Sequence, residues 1–223
     1  DLTNMETSYI FKELFDRTLD IKNYECRADN RFLDISKREN YLFNSTINGI
    51  EESDLIFLIG SNPRYEGTIL NARIRKSYVN NSTEIISLND VGDLTYPYKS
   101  LDGKSETIKN IFEGKNEISH QIINAKKPLI IIGESFFNLK FSDYLFNLIK
   151  KFINDKNKIN NDFNALNILT CDAATVGNYD LGLVNQEKNL LNDLKNHKFE
   201  IVYLVGQDNL NFDKKDEFVI YQG

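Results

Sequence analysis

Four short apolar runs in this chain close on glycine, with helix-patterned stretches between them. The runs are DLIFLIG (54–60), PLIIIG (128–133), EIVYLVG (200–206) and EFVIYQG (217–223); a fifth, TEIISLN (83–89), closes on asparagine. Each is apolar at successive positions rather than alternate ones. That pattern marks strands covered on both faces, as in a parallel sheet under helices. A glycine at the strand end lets the chain turn off the sheet with positive φ.

The stretches between carry a helical period. Thr3–Leu19 opens with Thr3 and Glu6 spaced as a capping box and continues with Ile10, Phe11, Leu14 and Phe15. Ser105–Phe112 and Ile118–Ala125 read as a helical pair broken near Gly114. Ser142–Ile153 repeats Leu145, Phe146, Ile149 and Phe152 at spacings of three and four, and Gln186–Asn196 carries Leu190, Leu191 and Leu194. Asn167–Thr170 reads as a short sixth strand. The alternation predicts an α/β fold: a doubly wound, mostly parallel sheet with helices on both faces. A chain of 223 residues is sized for one large domain or two small ones. Two tracts resist the pattern. Residues 20–40, polar and patternless, and residues 151–165 read as loops or insertions, and the Asn- and Lys-rich stretch Lys156–Ala165 as exposed and mobile.

Composition excludes several classes. The net charge of −6 argues against a nucleic-acid partner, and no segment approaches the roughly 20 apolar residues of a membrane span. Cys26 and Cys171 are the only cysteines, and His120 and His197 the only histidines. Iron–sulfur clusters and structural zinc take about four such ligands, so no metal site is expected. The two thiols read as ordinary reduced residues. The chain begins at Asp1 without a secretory pattern, so it reads as processed or as part of a longer polypeptide. Abundant Asn, Ile, Lys, Phe and Tyr suggest a gene under A+T pressure.

The chemistry concentrates after the first apolar run. Gly60-Ser61-Asn62-Pro63 joins it to a helix. Backbone N–H groups of such a turn can cradle a phosphate. Equally, Asn62 can cap the helix with Pro63 at its first position. Both readings stay open, though neither a GxGxxG nor a P-loop is present. On a helical wheel of the helix after the turn, Arg73 falls on the apolar face between Ile69, Leu70 and Ile74, with Glu66 beneath it two turns earlier. A charge there needs a partner. Arg73 is expected to pair with Glu66 or to reach a neighbouring loop or subunit. Arg64, Arg75 and Lys76 read as solvated or subunit-facing. Asp90, Asp93, Tyr96 and Tyr98 crowd one loop, where aspartate is a turn former before it is an acid–base catalyst. Ser135 lacks a hydrolase GxSxG frame. No catalytic residue is assigned.

LIGSNPRYEGTILNARIRKSY (58–78) resembles the signature stretch of the large iron–sulfur subunit of respiratory complex I, NADH:ubiquinone oxidoreductase. YLFNSTINGIEESD precedes it and DLTYPYKSLD follows it as in that family, and AKKPLIIIG, LNILT, YDLGL and FVIYQG match later landmarks in order. The resemblance spans nearly the whole chain and is weakest over 20–40 and 151–165. It implies one molybdopterin-oxidoreductase-like α/β domain over residues 1–223, incomplete here and part of a larger subunit. In catalytic relatives a Gly-x-Asn-Pro loop like Gly60–Pro63 helps hold the guanine nucleotide of the molybdenum cofactor. In complex I that cofactor is absent and the domain is structural. The resemblance therefore implies a vestigial nucleotide loop at Gly60, Ser61, Asn62 and Pro63, no cofactor bound by this chain, and structural roles for Glu66 and Arg73. The [2Fe–2S] and [4Fe–4S] clusters of the complete subunit would be held by residues outside this sequence. Its partners would be other peripheral-arm subunits, on the matrix side of the mitochondrial inner membrane or the cytoplasmic face of a bacterial one. Two rival readings are a domain of a catalytic molybdenum oxidoreductase, such as a formate dehydrogenase relative, and a free-standing nucleotide-binding domain.

Overall fold

The structure is a computed structural model that describes residues 3–27, 34–160, 163–185, 188–208, 210–211 and 213–223. It divides into two compact units, residues 32–171 and residues 1–31 with 172–223. In chain order the helices are α1 (Met5–Leu14), α2 (Pro63–Glu66), α3 (Thr68–Asn81), α4 (Ser105–Phe112), α5 (Glu117–Asn124), α6 (Ser142–Asp155), α7 (Thr175–Asp180) and α8 (Leu190–Lys195). The strands are β1 (Leu55–Ile59), β2 (Glu84–Ser87), β3 (Lys99–Ser100), β4 (Pro128–Gly133), β5 (Ile159–Asn160), β6 (Phe163–Asn164), β7 (Leu166–Leu169), β8 (Ile201–Val205) and β9 (Phe218–Gln222).

The larger unit is built on a five-stranded sheet in the order β3-β2-β1-β4-β7, parallel throughout. Strand period two splits its side chains between two cores. Leu55, Phe57, Ile59, Ile86, Ile130 and Ile132 face one side, against Ile108 and Ile111 of α4, Ile118 and Ile122 of α5, and Phe146 and Ile149 of α6. Ile56, Leu58, Ile85, Leu129 and Ile131 face the other, against Leu70 and Ile74 of α3 with Ile50, Leu94 and Tyr96. Covered on both faces, β1 and β4 are buried at every residue. The unbroken apolar runs signalled this arrangement. β3 is too short and polar to have been seen.

Much of the described part of 151–165 is regular structure rather than loop. α6 continues to Asp155, and β5 and β6 form a short antiparallel hairpin. The Lys158 ammonium anchors this stretch by donating to the carbonyl oxygens of Ile123 and Ala125 at 2.8 and 2.6 Å. Of the polar tract 20–40, residues 28–33 lie outside the described residues; Arg38–Asn40 forms one 3-10 turn.

In the smaller unit β8 and β9 pair in parallel as a separate two-stranded ribbon rather than joining the main sheet. Its residues are half-buried or exposed, so hydrophobic content misled the expectation of buried strands here. α1 is capped by Asn4, whose side chain accepts the Thr7 N–H at 2.8 Å. The expected cap, Thr3, instead donates its hydroxyl to the Val205 carbonyl oxygen at 3.1 Å. Past Leu14 the helix widens into a π turn over Phe15–Leu19, and the stacked rings of Phe11 and Phe15 meet Tyr203 edge-on. α8 is shorter than the sequence pattern and starts from Asn189, which accepts the Asn192 N–H; residues 186–187 of the expected helix lie outside the described residues. α7 went unseen.

Candidate functional site: the turn after the first strand

The chain runs outward from β1 to β2 and β3, then returns to place β4 on the other side of β1. The strand order therefore reverses between β1 and β4, and ligands of open α/β sheets bind beyond the carboxyl ends at such a point. Gly60 ends β1 there with φ +61, a conformation that favours glycine. A Cβ on Gly60 would lie 2.8 Å from the Phe136 backbone nitrogen and 2.9 Å from Ser135 Oγ. Gly133 ends β4 with φ −85, so it needs no left-handed turn. It is required by proximity: a Cβ would sit 2.2 Å from the Gly60 carbonyl oxygen and 2.8 Å from Ser61 Cα. The two strand-end turns thus lie against each other, and the Ser135 hydroxyl donates to the Gly60 carbonyl oxygen at 2.6 Å.

The rest of the turn is bonded internally. Ser61 is buried and donates its hydroxyl to Glu66 Oε2 at 2.9 Å. Asn62 Oδ1 accepts the Arg64 N–H at 3.2 Å and Asn62 Nδ2 donates to the Val91 carbonyl oxygen at 2.9 Å. Pro63 takes the first position of α2. The Arg64 guanidinium bonds the Asp93 carbonyl oxygen and its carboxylate, the latter at 2.6 Å. The Thr95 backbone N–H and then Arg64 hold the Asp93 carboxyl below its ordinary pKa. The Gly92 N–H and the Tyr98 hydroxyl do the same for Asp90. Beneath this loop the buried Asn71 side chain donates to the Leu94 carbonyl oxygen at 3.0 Å and accepts the Tyr96 hydroxyl at 2.7 Å. Burial pushes the Tyr96 phenol pKa up. Asp90 and Asp93 are turn-formers here, as their residue type suggested.

The space off the Gly60 Cα is filled by Ser135 and Phe136, and Ser61, Asn62 and Arg64 each bond their side chains within the unit.

Arg73 does not pair with Glu66. Gly67, in extended conformation, separates α2 from α3, so a wheel continued from Glu66 loses its phase. The buried positions of α3 are Leu70, Asn71, Ile74 and Ser77, while Ile69 is 70% exposed. Arg73 is half-buried at the edge of that face and bonds Glu51, in the 3-10 turn Asn48–Glu52 before β1. Lys76 reaches the same carboxylate at 2.7 Å. Lys76 and then Arg73 hold the Glu51 carboxyl below its ordinary pKa. Of the alternatives drawn for Arg73, the neighbouring segment is the one realised. Glu51 gave no sequence signal, because its partners lie more than 20 residues on, past a strand and a turn.

The remaining candidates fall outside this site. His120 is exposed. His197 Nδ1 lies 2.6 Å from Glu217 Oε1 in the smaller unit. Cys26 and Cys171 are unbridged, and burial pushes the Cys26 thiol pKa up to about 12. Among the described residues no group of three or more His, Cys, Asp or Glu could hold a metal ion.

A family model for molybdopterin oxidoreductases matches residues 1–223. The chain belongs to the molybdopterin oxidoreductase family. Its relatives within that family are respiratory. It is 31% identical over 224 residues to the mitochondrial NADH dehydrogenase [ubiquinone] iron-sulfur protein 1 of Solanum tuberosum, covering 100% of this chain and 30% of the relative. It is 36% identical over 189 residues to the mitochondrial NADH-ubiquinone oxidoreductase 78 kDa subunit of Candida albicans, covering 83% of this chain and 25% of the relative. It is 31% identical over 238 residues to the NADH-ubiquinone oxidoreductase 75 kDa subunit of Reclinomonas americana, covering 100% of this chain and 34% of the relative. The chain thus spans about a third or less of the curated relatives it matches. The five-stranded parallel sheet with its helices is consistent with that family's fold, and the sequence resemblance named the same relatives.

Proposed function

We propose that this chain is a structural, non-redox domain of the iron–sulfur subunit of NADH:ubiquinone oxidoreductase. It supports the peripheral arm that carries electrons from NADH to ubiquinone. The observation that carries this reading is the packing of Gly60 against Gly133 and Ser135 at the switch point. A site kept for a nucleotide would leave its glycine face and helix-start donors open to the ligand. Here that face is lined by the protein's own backbone. The reading is also supported by cysteine count: two cysteines fall short of the four thiolates a cluster takes, so the relay clusters belong to other residues of the assembly. The partners are the cluster-bearing part of the subunit and its neighbours in the arm, on the matrix side of the mitochondrial inner membrane. Among the described residues no helix is long and apolar enough to cross a membrane.

The test is a paired measurement on the purified chain: molybdenum content by mass spectrometry and titration with GDP. This reading expects no stoichiometric molybdenum and no saturable GDP binding. Stoichiometric molybdenum with GDP binding lost on Gly60→Val would establish a catalytic molybdenum oxidoreductase instead.

A further inference from the structure

The smaller unit holds a cavity of about 640 Å³, built entirely from its own residues. Phe11 of α1, Phe15 of the π turn, Leu191 and Leu194 of α8, and Val202 and Leu204 of β8 line it. That size is within the range of small-molecule sites, roughly 300–1,000 Å³, and such sites pair apolar walls with a few polar groups.

The polar groups are present and one of them lacks a partner. Asn178 of α7 lines the cavity and is 6% exposed, and its amide oxygen Oδ1 is buried with no hydrogen-bond partner. Native structures rarely leave a buried acceptor unpaired, because it has lost water and gained nothing. Ser8 of α1, also buried, brings a hydroxyl to the same cavity. The charged residues of the lining are already paired. Arg27 donates to both carboxylate oxygens of Glu25, at 2.8 and 2.7 Å, and Lys12 donates to Asp16 at 2.7 Å. Apolar walls and paired charges select a neutral occupant, and the orphaned acceptor requires that it carry a donor.

We propose that this cavity is a binding site for a neutral amphiphile, an apolar chain ending in one hydroxyl that donates to Asn178 Oδ1. The site is separate from the Gly60 turn, and it gives the chain a ligand of its own beyond the supporting role.

The experiment titrates the full chain with N-phenyl-1-naphthylamine, which fluoresces in apolar surroundings, and then displaces it with 1-decanol or with decyl methyl ether. The two competitors share an apolar chain, but only the alcohol has a donor. The wild type should bind the probe at one saturable site and prefer the alcohol over the ether by about fivefold to tenfold, the worth of one hydrogen bond. Asn178→Leu should keep probe binding and lose that preference, which a purely structural asparagine would not control. No saturable probe binding by the wild type, or equal displacement by alcohol and ether, would overturn the proposal without any variant having to fold. Binding by this chain that is lost in the complete subunit would make the occupant a segment of that subunit and overturn it too. Either failure leaves the complex I reading standing.

Discussion

The Ser135 hydroxyl donates to the Gly60 carbonyl oxygen at 2.6 Å, joining the turns that follow β1 and β4. The contact exists because neither strand-end glycine carries a side chain. At Gly133 an added methyl would meet the Gly60 carbonyl oxygen at 2.2 Å. Gly133→Ala is therefore expected to destabilise the protein by about 1–3 kcal/mol, because backbone atoms must move. Ser135→Ala is expected to cost about 1 kcal/mol, one hydrogen bond. Urea unfolding of the two variants checks the order. A neutral Gly133→Ala would mean that the two turns do not touch.

Asn71 and Tyr96 form a buried polar pair under the same loop. Tyr96→Phe removes one hydrogen bond and leaves the Asn71 oxygen unpaired, a loss of about 1–2 kcal/mol. Asn71→Leu also leaves the Leu94 carbonyl oxygen and the Tyr96 hydroxyl without their partner, so it costs more, about 3 kcal/mol. The double variant should cost less than the sum, because both changes break one network. Chemical denaturation of the three proteins measures this.

Glu51 collects Arg73 and Lys76 at the edge of α3. Its folded pKa lies below the ordinary 4.5, so its contribution is present above that pH and fades as pH falls through the folded value. Arg73→Met should lower stability slightly at neutral pH and low salt, and 1 M salt should erase the difference, as for half-exposed ion pairs. A loss that persists undiminished in high salt would assign Arg73 to packing instead.

Glu217 contributes to the acid limb of the smaller unit. The Lys215 N–H, its own N–H and the His197 ring bring its carboxyl down to about 2 from 4.5. A depressed carboxyl stabilises the fold above its unfolded pKa, and that contribution is lost as pH falls from 4.5 toward about 2. Glu217→Gln should therefore weaken the unit at pH 7 and flatten its stability change across that window. Hydrogen exchange of the β9 amides as a function of pH follows it; an unchanged profile would contradict the assignment.

The main sheet was legible because its signal is local. Unbroken apolar runs and the helical period of Leu145, Phe146, Ile149 and Phe152 state their burial within one element. What escaped depended on long-range geometry. The Gly60 turn was visible, but its closure required Gly133 and Ser135, more than 70 residues on, to arrive in register through the pairing of β1 with β4. Arg73 was placed by a wheel carried across Gly67, where a single extended residue destroys helical phase. β8 and β9 read as buried because composition reports the hydrophobicity of a strand, not what covers it.

The central claim is that the domain supports the assembly without carrying electrons. The most direct test is the amount of assembled, NADH-oxidising complex I in cells from which this domain has been deleted. The account predicts that the assembled complex is lost or strongly reduced. Normal amounts of fully active complex without the domain would contradict it.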